Sequence, residues 1–245
     1  MENVVNSINA WVWSPALIYL ALGAGLFFSI LTRFVQVRLF REMIHLLFSS
    51  KESERGISSF QALAVSLSGR VGTGNIAGVA AAIGFGGPGA VFWMWVVAFL
   101  GASTAYVEAA LGQIYKEVDE GQYRGGPAFY IEKAMGQRWY GWLFAVVTII
   151  ATGLLLPGVQ ANSISSAAEV ALGTGEIYQT ALGDISFTKI ASAVVVVTIF
   201  GFIIFGGVKR IAHVTQFVVP FMGLAYVITA VGIIAMNISQ LPGVI

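Results

Sequence analysis

Residues 66–78 read Ser-Leu-Ser-Gly-Arg-Val-Gly-Thr-Gly-Asn-Ile-Ala-Gly and interrupt a run of apolar sequence otherwise long enough to cross a bilayer. Gly69, Gly72, Gly74 and Gly78, mixed with Ser68, Thr73 and Asn75, make a poor continuous helix. Each glycine costs about 1 kcal/mol relative to alanine in a helix interior. In hydrocarbon, every backbone group freed from a helix needs another partner. Irregular backbone therefore persists at membrane depth only where protein or a cavity surrounds it. A helix broken at mid-membrane exposes N–H and C=O groups that can hold a solute and its coupling ion. A solute transporter is the first expectation.

Composition supports the membrane setting. The 245 residues are 57% hydrophobic and only 10% charged, with a mean hydropathy of +0.82. Soluble domains carry about 25% charged residues. The net charge of +1 offers no basic stripe to neutralise phosphates, so no nucleic-acid partner is expected. Cysteine is absent, which excludes disulfides and thiol chemistry. The N-terminus lacks the basic region of a cleavable signal peptide, so the first span is expected to be retained.

The pattern predicts an all-α polytopic membrane protein with about six transmembrane helices. The expected spans are 13–32, 60–85 (which contains the break), 89–114, 139–171, 188–206 and 212–236. Residues 36–48 place Val37, Phe40, Ile44, Leu47 and Phe48 on one face, away from Arg38, Arg41 and His45, as in a helix lying in the interface. A second short helix opens at Pro127 and closes at Gly136. Eleven of the 13 basic residues fall in three alternate connections. These are Arg33, Arg38, Arg41, Lys51 and Arg55; then Lys116, Arg124, Lys133 and Arg138; then Lys209 and Arg210. The positive-inside rule makes these loops cytoplasmic and puts both termini and the loop 173–183 outside. The expected location is the cell (inner) membrane.

Two groups of residues carry the expected chemistry. If the helix unwinds at Gly72, Thr73, Gly74 and Asn75, the resumed half-helix presents N–H groups and a positive dipole end suited to a carboxylate. The preceding half, around Ser68 and Val71, offers oxygen ligands to a hard cation. Gly74 and Gly78 equally form a small-xxx-small pair that lets helices pack closely. Gln160 and Asn162 follow Pro157, which loosens the fourth span, and Gln160 has both acceptor and donors for an amino acid. An interhelical hydrogen bond is the alternative for Gln160. Arg70 and Glu108 are ionisable groups in or near spans, where charge marks a pathway, a gate or an ion pair. His45 and His213 show no metal spacing, and there is no Ser-His-Asp set, carboxylate dyad or zinc motif; an enzyme is not expected.

At these residues the chain resembles the alanine/glycine:cation symporter family, the sodium:alanine symporters. The runs that carry the likeness are 69–80, 86–90, 92–95, 123–127, 160–163 and 206–210. The resemblance implies a LeuT-type fold: one extra N-terminal helix with an interfacial helix (1–58), then a five-helix repeat (59–245) whose inverted partner makes the second half. It implies sodium-coupled symport of alanine or glycine by alternating access. Gly72, Gly74 and Asn75 would lie near the carboxylate, with Gln160 joining from the fourth span. Ser68 and Val71 would lie near Na+. The family pattern runs to about eleven spans, so this chain corresponds to an N-terminal half whose partner is a second repeat. The alternative expectation is a non-transporting membrane subunit or remnant that packs with partner helices.

Overall fold

Long apolar stretches without prolines or charges become helices because only intra-segment hydrogen bonds satisfy the backbone in lipid. The computed structural model describes residues 2–49, 56–119, 121–180 and 183–239 and is mostly helical. Lys51 and Arg55 of the first basic segment, and the tail 240–245, lie outside the described residues. Among the described residues five helices are long and apolar enough to cross a membrane: Asn3–Leu31, Gly89–Ile114, Arg138–Leu172, Phe187–Ile204 and Gly207–Met236. The protein is thus a multi-pass membrane protein. The expected second span is not one of the five. It is divided into two shorter apolar helices, Ser59–Ser68 and Gly74–Gly86, because the glycine-rich stretch does not sustain a helix between them. The expectation of an all-α chain needs correction too. Two small hairpins lie between spans, where polar residues meet glycines with positive φ, Gly121 (75°) and Gly183 (115°).

The chain forms two compact units. The first comprises Met1–Leu46 and Ile76–Leu155. It contains α1 (Glu2–Val12), α2 (Pro15–Leu31), α3 (Val35–Arg38) and most of α4 (Phe40–Phe48). After the break it continues with α6 (Val79–Gly86), α7 (Gly89–Ile114), the hairpin β1 (Glu117–Asp119) and β2 (Gln122–Arg124), α8 (Pro127–Met135) and α9 (Arg138–Thr148). α2 lies against α7 at Gly25, where a Cβ would come within 2.8 Å of Leu100 Cβ. Beside that contact the Gln36 amide donates to Ser29 (3.0 Å), and the Ser29 hydroxyl donates to Ser103 (3.0 Å). The Ser103 hydroxyl in turn reaches the carbonyls of Leu100 (2.8 Å) and Gly25 (3.0 Å). Ser29 and Ser103 are fully buried, so this relay settles polar groups that lipid would leave unpaired. Residues 36–48 are helical as expected, as α3 and α4 with a step at Leu39. Pro127 opens α8 and Gly136, at φ 66°, ends it, as the sequence indicates.

The second unit comprises Leu47–Asn75 and Leu156–Ile245. It holds α5 (Ser59–Ser68), α10 (Leu156–Leu172), the hairpin β3 (Ile177–Thr180) and β4 (Gly183–Ser186), α11 (Phe187–Ile204) and α12 (Gly207–Met236). Ser58 and Gln61 form a reciprocal capping box at the start of α5. The Gln61 amide then donates to Gln216 on α12 (3.1 Å). Glu169 near the end of α10 accepts from Ser186 (2.5 Å) and pairs with Lys189 (3.3 Å), which joins α10 to the start of α11.

Candidate functional site

The break lies where the glycines predict it. Helix α5 ends at Ser68, and the N–H groups of Gly69, Arg70 and Val71 close its last turn onto Val65 (3.2 Å) and Leu67 (3.0 and 2.8 Å). The helix resumes at Thr73 and runs through a π-helical turn, Gly74–Gly78, into α6. Wide π turns cost helix stability and recur at functional sites. The Gly72 N–H, which begins the resumed segment, is taken by the Asn75 side-chain oxygen at 3.2 Å. Asn75 thus reaches back three residues and pairs a donor that lipid would not.

Gln160 comes to the same place from α10. Its Oε1 accepts from the Thr73 N–H (3.3 Å) and from the Thr73 hydroxyl (2.7 Å). Gly72 makes the approach possible: a Cβ there would sit 2.8 Å from Gln160 Nε2, 3.2 Å from Oε1 and 3.3 Å from Cδ. A partly negative oxygen at the positive end of a half-helix is electrostatically favourable. A carboxylate oxygen has the same acceptor geometry and more charge, so it would suit the same donors. Gly72, Thr73, Asn75 and Gln160 are therefore brought together, with Gly74 opening the π turn. Asn162, two residues on from Gln160, is exposed and has no hydrogen bond to this cluster among the described residues.

The other expected residues fall out differently. The Ser68 hydroxyl donates to Val65 O at 2.7 Å, and Val71, three residues past the end of α5, is exposed. Arg70 donates to the Ser66 hydroxyl one turn earlier on its own helix. The i, i+4 spacing of Ser66 and Arg70 could have revealed that partner, which sequence reasoning missed. Glu108 is an exposed residue of α7, and its charge acts on Tyr130 of α8. Burial, and then Glu108, raise the Tyr130 hydroxyl above its ordinary value. Gly74 and Gly78 have open space where a Cβ would stand, so neither mediates close helix approach among the described residues. The fourth span is loosened beside Pro157, as a π-helical segment over Ile149–Leu155. Proline has no N–H and its ring crowds the carbonyl four residues back, at Gly153, so the distortion runs toward the N-terminus.

A family model described as the sodium:alanine symporter family matches residues 1–245. "Putative sodium/proton-dependent alanine carrier protein YrbD" of Bacillus subtilis (strain 168) is 54% identical over 245 residues, which is 100% of this chain and 48% of that protein. The amino-acid carrier protein AlsT of the same organism is 42% identical over 249 residues, covering 100% of this chain and 50% of AlsT. The sodium/proton-dependent alanine carrier protein of Bacillus sp. (strain PS3) is 43% identical over 202 residues, 82% of this chain and 42% of its own. The chain spans about half the length of the curated relatives it matches.

Proposed function

We propose, since this chain belongs to the sodium:alanine symporter family, that it forms the N-terminal half of a sodium-coupled symporter of small neutral amino acids, alanine or glycine. The observation that carries this is the meeting of Gln160 with Thr73 at the broken helix. The Gln160 oxygen lies on donors that a substrate carboxylate would take. The carboxylate would replace it at Gly72, Thr73, Gly74 and Asn75, leaving the Gln160 amide to turn and contact the substrate. Na+ would be held by oxygen from the end of α5, at Ser68 and Val71, since hard cations favour carbonyl and hydroxyl ligands. The likeness to relatives of twice the length supports a second repeat as partner. Together the two would form a LeuT-type inverted pair working by alternating access. Arg70 and Glu108 would serve as gating charges rather than ligands. The protein would sit in the cell membrane with its basic loops cytoplasmic and its termini outside.

The test is a chimera in which this chain is joined to the part of YrbD that it does not cover. Cells making the chimera should take up labelled alanine when sodium is present, and Asn75→Leu should abolish the uptake while leaving the protein in the membrane. Uptake indifferent to sodium, or unaltered by the leucine, would rule the assignment out.

A further inference from the structure

Beyond the broken helix, the arrangement at the end of α2 stands apart because it sets arginines, without an ion pair among the described residues, in a costly backbone. Arg33 and Phe34 both have positive φ, 54° and 52°, although neither is glycine. The left-handed region is disfavoured for such residues. They are held there by Phe34 N–H donating to Ser29 O at 2.6 Å, by Gln36 on the buried Ser29, and by Val35, which is only 2% exposed. The result is a sharp turn that pins α3 across the end of the first span.

That turn sets Arg33 and Arg38 on one cleft of about 350 Å³ together with Leu31, Thr32, Val35 and Tyr106. No carboxylate lines it. An adjoining depression on the same face contains Glu42 as well as Arg38 and Arg41, so its charge is partly offset. Among the described residues Arg33 and Arg38 form no ion pair. Arg38 spends one donor on Thr32 O at 3.3 Å. A guanidinium has five, and they match phosphate oxygens in pairs. Tyr106 of α7 also lines the cleft.

We infer that this cleft binds the phosphate of an anionic phospholipid. Phosphate chemistry alone would also suit a free anion. The apolar surroundings favour a lipid, because Leu31 on the rim is 63% exposed and leads onto Phe27 and Ile30 of α2, exposed at 60% and 61%. An acyl chain lying on that helix face would put its headgroup at the arginines. α3 and α4 continue the pattern: Val37, Phe40, Ile44 and Phe48 are exposed apolar residues beside Arg38 and Arg41, as in helices seated at the headgroup level.

The test uses the purified chain in detergent and native mass spectrometry, with phosphatidylglycerol or phosphatidylcholine of identical acyl chains added stepwise. Phosphatidylglycerol should bind roughly tenfold more tightly, as two basic residues near an anionic headgroup allow. Arg33→Gln with Arg38→Gln should bring the two lipids to within about twofold of each other. Arg138→Gln, elsewhere on the chain and paired with Glu132, should keep the wild-type preference. A preference that survives the double substitution overturns the site. So does displacement of phosphatidylglycerol by inorganic phosphate at comparable concentration, which would mean a free-anion site. If the double variant does not fold, the wild-type chain decides: equal affinity for the two lipids overturns the inference, and a roughly tenfold preference that 0.5 M salt removes supports it, since salt screens exposed charge.

Discussion

Gly72→Ala probes whether the break is shaped by Gln160. The new methyl carbon would stand 2.8 Å from Gln160 Nε2 and 3.2 Å from Oε1, where ordinary contact begins near 3.4 Å. Gln160 is the flexible partner, so its amide moves by several tenths of an ångström or more. The two bonds from Thr73, now 3.3 and 2.7 Å, are then stretched or lost. At a net of about 0.5–1.5 kcal/mol each, the expected destabilisation is about 1–3 kcal/mol. The main chain at Gly72 does not itself demand glycine, because its φ is not positive. Alanine should therefore be neutral, or stabilising by up to about 1 kcal/mol, once Gln160 is gone. A double-mutant cycle separates the two effects. Unfolding of the purified chain in mixed micelles would be followed for the wild type, Gly72→Ala, Gln160→Ala and the pair. The coupling should account for most of the cost of Gly72→Ala. An equal cost for Gly72→Ala in the Gln160→Ala background would refute the claim that Gly72 exists to admit Gln160.

Two more expectations concern the first unit. Gly25→Val should lower stability by about 1–3 kcal/mol, because its Cβ meets Leu100 Cβ at 2.8 Å and the Leu100 carbonyl at 3.1–3.2 Å, and backbone cannot swing aside. Gly23→Val, which has open space at the Cβ position, should cost far less in the same unfolding assay. Tyr130 should ionise above the ordinary tyrosine value of 10.0 in an ultraviolet titration, and Glu108→Gln should lower its midpoint without removing the whole shift, since burial is the larger cause. Its raised value in the folded chain means that its contribution to stability is complete below pH 10.0 and fades as pH rises through the folded-state value.

The helical spans were legible because hydrocarbon imposes a single solution on the backbone, and length plus apolarity reveal it. The expected boundary of 89–114 agrees with α7, Gly89–Ile114. The hairpins at Glu117–Arg124 and Ile177–Ser186 were missed because their strands are short and polar and carry no alternating core pattern. Pro157 marked the loosening of the fourth span, and the fold shows it as a π-helical segment just before the proline, because proline disturbs the carbonyl behind it as well as lacking a donor. Arg70 donates to the Ser66 hydroxyl one turn away, a local partner that the i, i+4 spacing permits.

At the site, the chain's own chemistry fixed the break: glycines at 69, 72 and 74 deprive the helix of side-chain support wherever the rest of the molecule lies. Residue types also marked Asn75 and Gln160 as polar groups in need of partners in lipid. Only the folded chain decided that those partners are Gly72 and Thr73, because residues 73 and 160 are brought within hydrogen-bond reach by packing across 87 positions of sequence. Periodicity registers local backbone preference, and it holds no information about which distant side chain will arrive at a given amide.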